Sequence, residues 1–165
     1  MKKQPSLFKS LFFLALTFMV LPAFSQSTSL VGTWGLTAAD KILPDGSRVA
    51  DFGKSPRGIA IFTADGHYTV EIFQIDRINS SSAEHVKGEQ DEYKDTLINL
   101  SCHFGTYTVD AAKGTITFHI DRASYTAWDS TTTVRTFTLE GDHLTWRVAP
   151  RADGSVPVSA FTRAH

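Results

Sequence analysis

Arg135 is the residue of this 165-residue chain whose surroundings demand a partner. It lies two positions before Phe137 and four before Leu139, so a regular strand points it to the same side as those apolar residues. An unpaired charge in an apolar interior is costly, so a buried arginine requires a partner. One reading supplies it from a ligand, as a carboxylate or carbonyl oxygen. The other supplies it from the protein, through Trp34 or an acidic side chain, and carries more weight because buried charges are usually paired internally. Glu71 and His119 fall on the faces opposite their strands' aliphatic residues, which places both in solvent unless a β-bulge reverses the side. His119 turned inward beside Arg135 would make proton transfer possible.

The remaining chemistry-bearing residues exclude more than they suggest. His67, His85, His103 and His143 scatter over turns, a loop and strand ends, with no HxH or HExxH spacing, so no metal site is expected. Cys102 is the single cysteine; it can form no internal disulfide, CxxC motif or Cys-based metal site, and should pack as a small hydrophobe. No GxSxG elbow and no phosphate-binding glycine loop occur, so nucleophilic hydrolysis and nucleotide binding lack their motifs. No cofactor is expected.

The N-terminus reads as a removable leader. Lys2, Lys3 and Lys9 precede the apolar run Leu11–Val20, and Ala23 and Ser25 have the small-residue spacing of a signal peptidase site, so residues 1–25 are expected to be cleaved. The run is shorter than the roughly 20 residues of a spanning helix, and no later segment approaches that length. Losing the three leader lysines takes the formal charge from −1 to −4, which argues against nucleic acid or an anionic membrane as the main partner. Residues 26–165 suit one domain with one core.

Downstream, the chain reads as strands. Leu30–Ala38 is the first, followed by a loop over Ala39–Pro56 with a Pro44-Asp45-Gly46-Ser47 turn. Arg57–Thr63 and His67–Ile75 flank Asp65-Gly66, the strongest hairpin signal present. Asn79–Gln90 is polar and serine-rich. From about Glu89, Tyr93, Leu97 and Leu100 recur at helical spacing, predicting one inserted helix with an acidic first turn that suits its dipole. His103–Asp110 and Thr115–Arg122 pair so that Tyr107 faces Phe118 and Val109 faces Ile116. Thr132–Leu139 and Leu144–Val148 pair Leu139 with Leu144, and the turn Ala152–Ser155 sets Trp146 against Phe161 and Leu144 against Arg163 in the final strand, Val156–Arg163.

Eight or nine antiparallel strands in short hairpins avoid exposed edges by closing into an up-and-down barrel, with a β-sandwich as the alternative. In a barrel the first strand meets the last, with Trp34 at the closure. Tyr68, Tyr107, Phe62, Phe118, Phe137 and Trp146 then face inward, either lining a cavity for an apolar ligand or filling the core. Trp128, in the loop Tyr125–Thr131, would gate the barrel mouth or cover its rim.

LVGTW at Leu30–Trp34, LPDGSRV at Leu43–Val49, PRGIAIFTADGHYT at Pro56–Thr69, FGTYTVD at Phe104–Asp110, FHID at Phe118–Asp121 and VRTFTLEGDHLTW at Val134–Trp146 occur in an order that resembles the lipocalin-like domain family of bacterial and fungal proteins. The resemblance implies a calycin-type β-barrel with a small-molecule cavity. It implies no settled activity; some relatives sit in natural-product pathways, where they shape or cyclise a bound intermediate, and no catalytic residue set carries over. Gly32-x-Trp34 is also similar to lipocalins proper, in which the tryptophan packs near the barrel floor against an arginine of a late strand. Register makes Arg163 the first candidate for that arginine and Arg135 the second. The second and third signatures of lipocalins proper are missing.

The expectation is therefore a mainly-β, antiparallel up-and-down lipocalin-like barrel of about eight strands with one inserted helix, exported to the periplasm or secreted. It would bind a small apolar or amphipathic molecule through Arg135, Tyr68, Tyr107, Phe118, Phe137, Trp146 and Trp128, with Trp34 and Arg163 as structural closure. An isomerase or cyclase acting in the same cavity is the alternative, favoured if two inward ionisable groups reach one ligand atom. A fully packed barrel working through its surface is the third reading.

Overall fold

The computed structural model describes residues 29–75, 94 and 99–165. Nine strands follow in chain order: β1 (Gly32–Ile42), β2 (Arg48–Ala50), β3 (Arg57–Phe62), β4 (His67–Phe73), β5 (Leu100–Asp110), β6 (Thr115–Ala123), β7 (Thr132–Glu140), β8 (His143–Arg147) and β9 (Val156–Arg163). From β3 to β9 each strand pairs antiparallel with the next; β1 pairs with β3 on one side and returns to β9 on the other. β1 and β3–β9 thus close an eight-stranded barrel, in which each of these strands is paired on both sides. β2 pairs with Asp40–Ile42, on the side of β1 that β3 leaves after Gly35.

Period-two alternation builds the interior. Tyr68, Val70 and Ile72 of β4, Ile116, Phe118 and Ile120 of β6, and Leu144 and Trp146 of β8 are all buried, and polar or exposed residues alternate with them. Two irregularities adjust the alternation. In β1 the register against β9 shifts between Leu36 and Ala38, so Trp34 and Leu36 pack inward, Thr37 is exposed, and Ala39 is the next buried residue. Between β5 and β6 the register shifts after Phe104, leaving Asp121 as the extra residue of a bulge. A Cβ on Gly105 would lie 2.0 Å from the His119 carbonyl oxygen, so this approach of the two strands requires glycine.

The barrel closes on Trp34, which is opposite Arg163 in the β1–β9 ladder. The Arg163 guanidinium lies 4.0 Å from the centre of the Trp34 ring and donates from Nη1 to Val31 O (2.8 Å) and from Nη2 to Ser29 O (3.0 Å). Trp34 Nε1 donates to Leu30 O at 2.8 Å. A Cβ on Gly32 would sit 2.8 Å from Arg163 Nη1. The spacing Gly32-x-Trp34 therefore clears room for the arginine that covers the tryptophan.

Several expected boundaries move. β1 runs on to Ile42, and β2 occupies part of the segment expected as loop. β5 begins at Leu100, so that residue opens a strand instead of closing the predicted helix. Of the rest of that helix, Lys94 is described and helical and Asn99 lies in a turn; Tyr93 and Leu97 lie outside the described residues, as do the leader and the serine-rich segment. The Tyr125–Thr131 loop contains a 3₁₀ turn at Thr126–Trp128. β8 and β9 pair Leu144 with Phe161 and Trp146 with Ser159, two residues from the expected register. Pro150 has no N–H for the ladder, and pairing ends at Val148, which donates to Pro157 O, before the turn. A two-residue shift keeps every side chain on its expected face.

Candidate functional site

The barrel is packed in one half and hollow in the other. In the packed half Trp34, Phe62, Ile116, Leu144 and Phe161 are fully buried, with Phe62 and Tyr107 rings 4.9 Å apart and Trp146 and Phe161 rings 4.3 Å apart. The other half holds a cavity of about 510 Å³. It is lined by the late residues of β1, β4 and β6 and the early residues of β5, β7 and β9, which antiparallel order brings to one end. Val70, Ile72, Ile120 and Val158 form apolar wall, and Phe52, Tyr125 and Trp128 add aromatic surface.

Arg135 sits at the boundary between the halves. It is 6% exposed and lines the cavity, and its guanidinium packs 4.7 Å from the Phe118 ring centre and 5.4 Å from that of Trp146. Such cation–π contacts offset part of the lost hydration. Arg135 Nη2 donates to His103 Nε2 at 3.0 Å, and His103 Nδ1 lies 2.9 Å from the Tyr68 hydroxyl oxygen. A guanidinium can only donate, which fixes the tautomer: Nε2 accepts, and Nδ1–H donates to Tyr68. Burial first, and the neighbouring Arg135 charge second, push the His103 pKa down from 6.5 to about 3. The imidazole is therefore neutral at physiological pH. Burial raises the Tyr68 phenol above its usual range and lowers Arg135 to about 10, so the guanidinium keeps its charge.

That charge has no carboxylate partner among the described residues. The acids of the lining are Asp40 and Asp51. Asp40 accepts from Arg48 Nε at 2.6 Å; Asp51 accepts from Arg151 Nη1 at 2.8 Å and lies 3.6 Å from Lys41 Nζ. Two buried side-chain donors among the described residues lack an acceptor, Arg135 Nε and Trp146 Nε1, and both belong to this stack.

The residues singled out from sequence separate spatially. Arg135 and Trp128 line the cavity, and the Trp128 ring stands 6.2 Å from that of His103. Tyr68, Phe118 and Trp146 pack against the Arg135–His103 pair without lining the cavity. Tyr107 and Phe137 belong to the packed half, where Tyr107 donates to Thr63 O at 3.1 Å and Phe137 is opposite Trp146. Trp34 and Arg163 meet at the closure, as described above. His119 is exposed and hydrogen-bonded to Thr132 at 3.0 Å; Glu71 faces a shallow outer groove with Cys102 and Arg122. Neither reaches Arg135. The residue that does is His103, expected at a strand end and found 3% exposed inside β5. Its parity with Tyr107 carried the signal, since residues 103, 105 and 107 share one face. No cluster of three potential metal ligands occurs among the described residues.

A closed antiparallel eight-stranded barrel with an internal cavity is an architecture able to hold one small ligand. The lipocalin-like domain family matches residues 31–163, and the chain belongs to that family. Among solved structures, a lipocalin-like protein from Bacteroides uniformis is similar at 15% identity and a TM-score of 0.43, covering 82% of this chain and 98% of its own. A mutant of the fluorescent protein UnaG is similar at 13% identity and a TM-score of 0.37, covering 82% of this chain and 96% of its own. No curated protein matches the sequence.

Proposed function

We infer that this chain is an exported carrier or sensor that holds a small apolar or amphipathic molecule in the barrel cavity, with Arg135 orienting the ligand's polar end. The observation that carries this reading is a charged, buried guanidinium on the wall of a 510 Å³ cavity with no carboxylate partner among the described residues. Cavities of this size suit drug-sized ligands, and a few convergent polar groups on an apolar wall are their usual lining. Export rests on the basic start, apolar run and small-residue site of residues 1–25. Protein purified from the periplasm or culture fluid should begin at Gln26 and release a bound small molecule on denaturation, detected by mass spectrometry. A consistently ligand-free protein that takes up no apolar probe would defeat the reading.

The isomerase or cyclase reading draws support from one observation: His103 and Arg135 are both ionisable and both line the cavity. Both ring nitrogens of His103 are already engaged, one by Arg135 and one by Tyr68, which leaves no free base on it. Binding is the reading this geometry favours.

A further inference from the structure

Building on the reading that the cavity holds a small molecule, we propose that its occupant is a monocarboxylate that enters head first. Its carboxylate sits on Arg135, and its apolar body lies along Val70, Ile72, Ile120 and Val158. The balance of charge in the lining is the ground for this. Asp40 is held by Arg48 and Asp51 by Arg151 and Lys41, so neither acid is free to neutralise Arg135. Among the described residues its guanidinium meets one protein acceptor, the neutral nitrogen of His103. Nη1 has no partner among the described residues, and Nε is buried without one. Trp146 Nε1, on the ring beneath the guanidinium, also lacks an acceptor.

The possible head groups answer this arrangement differently. A neutral carbonyl or hydroxyl meets one donor and leaves the net charge uncompensated. An ammonium adds a second positive charge to the first. A carboxylate matches the planar fork of donors and cancels the charge, and charge-assisted bonds are roughly twice as strong as neutral ones. A dianion would exceed the one unpaired charge it meets. Asp51 is shared by two cations, so that part of the lining carries no excess negative charge to oppose an entering anion.

The test uses the mature chain, stripped of bound lipid and loaded with a neutral naphthylamine dye whose fluorescence rises in apolar surroundings. Decanoate, decanol and decylamine, each below its micelle concentration, compete for the cavity at neutral pH. Decanoate should displace the dye at a concentration about tenfold or more below that of decanol, with decylamine the weakest. In Arg135→Met the ratio of carboxylate to alcohol should fall close to one, and Arg135→Lys should show an intermediate ratio because a point charge replaces the fork. Should the methionine variant fail to fold, the wild-type series and the lysine variant decide the matter. Equal displacement by decanoate and decanol in the wild type overturns the carboxylate assignment and leaves the cavity reading standing. Absence of dye uptake overturns the cavity reading itself.

Discussion

Acid should destabilise this barrel earlier than its carboxylates alone would require, and His103 is the reason. In the unfolded chain its imidazole titrates near the ordinary 6.5; in the barrel, burial and Arg135 hold it at about 3. Between those values the unfolded chain carries a proton on residue 103 that the folded chain does not. Stability is therefore fully present above about pH 6.5 and falls as pH drops through that window. The slope approaches about 1.4 kcal/mol per pH unit, the free energy of one proton, and the total loss near pH 3 is on the order of 4 kcal/mol. That is a large part of the roughly 5–15 kcal/mol that holds a domain of this size together. His103→Gln isolates the effect, since its amide oxygen can accept from Arg135 and its amide nitrogen can donate to Tyr68. The variant should lose about 1–2 kcal/mol at neutral pH through imperfect hydrogen-bond geometry. Its acid limb should then be flatter, so that the two stabilities cross between about pH 5 and 6. Urea unfolding followed by tryptophan fluorescence at a series of pH values measures both curves. The carboxylates are common to both proteins and cancel in the difference. A wild-type-minus-variant difference that stays constant from neutral to acid pH would refute the reasoning.

Trp34→Ala should cost about 3–5 kcal/mol in chemical unfolding, because it empties the closure and strips Arg163 of the ring it covers; a near-neutral result would contradict its place at the seam. Gly105→Ala should cost more than about 3 kcal/mol, since its Cβ would collide with the His119 carbonyl, and a change below about 1 kcal/mol would show that the bulge relaxes. Trp128→Ala should speed ligand release with little effect on stability, because the side chain lines the cavity and is 39% exposed. Stopped-flow displacement of a bound dye reads that rate, and an unchanged rate would remove Trp128 from the exit path.

Strand parity made much of this fold legible. Tyr68, Val70 and Ile72, the Tyr107–Phe118 pair and the Leu139–Leu144 pair follow from period-two reasoning applied to hairpins with short turns, whereas the Trp34–Arg163 pair followed from the resemblance to lipocalins proper. Arg135 followed from the same rule, as an inward position two residues before Phe137. Parity failed where elements were begun or ended in the wrong place. Starting β5 at His103 instead of Leu100 made that histidine look like a strand end, although it shares a face with Tyr107. The extension of β1 and the presence of β2 were hidden because Asp40-Lys41-Ile42 and Arg48-Val49-Ala50 are too short and too polar to show alternation. The aromatics were recognised as inward, but which end of the barrel stays hollow depends on depth along each strand. Period-two patterning contains no information about depth, so Tyr107 and Phe137 could not be assigned to the packed half.

The bulge at Leu36–Ala38 acts as a phase shift written into one strand. Before it, even-numbered residues face the interior; after it, Ala39 does, and the Asp40 carboxylate is held by Arg48. Excising Thr37 would remove the extra residue and leave Trp34, Leu36 and Ala39 as one continuous inward series. The bulge is therefore a slot in which the first strand absorbs a one-residue change of length while Trp34 stays at the seam and Ala39 on the cavity wall. A Thr37 deletion variant that folds and keeps the ligand preference of the parent would register that tolerance, and a reversal of the preference would show that the strand beyond the bulge had changed face.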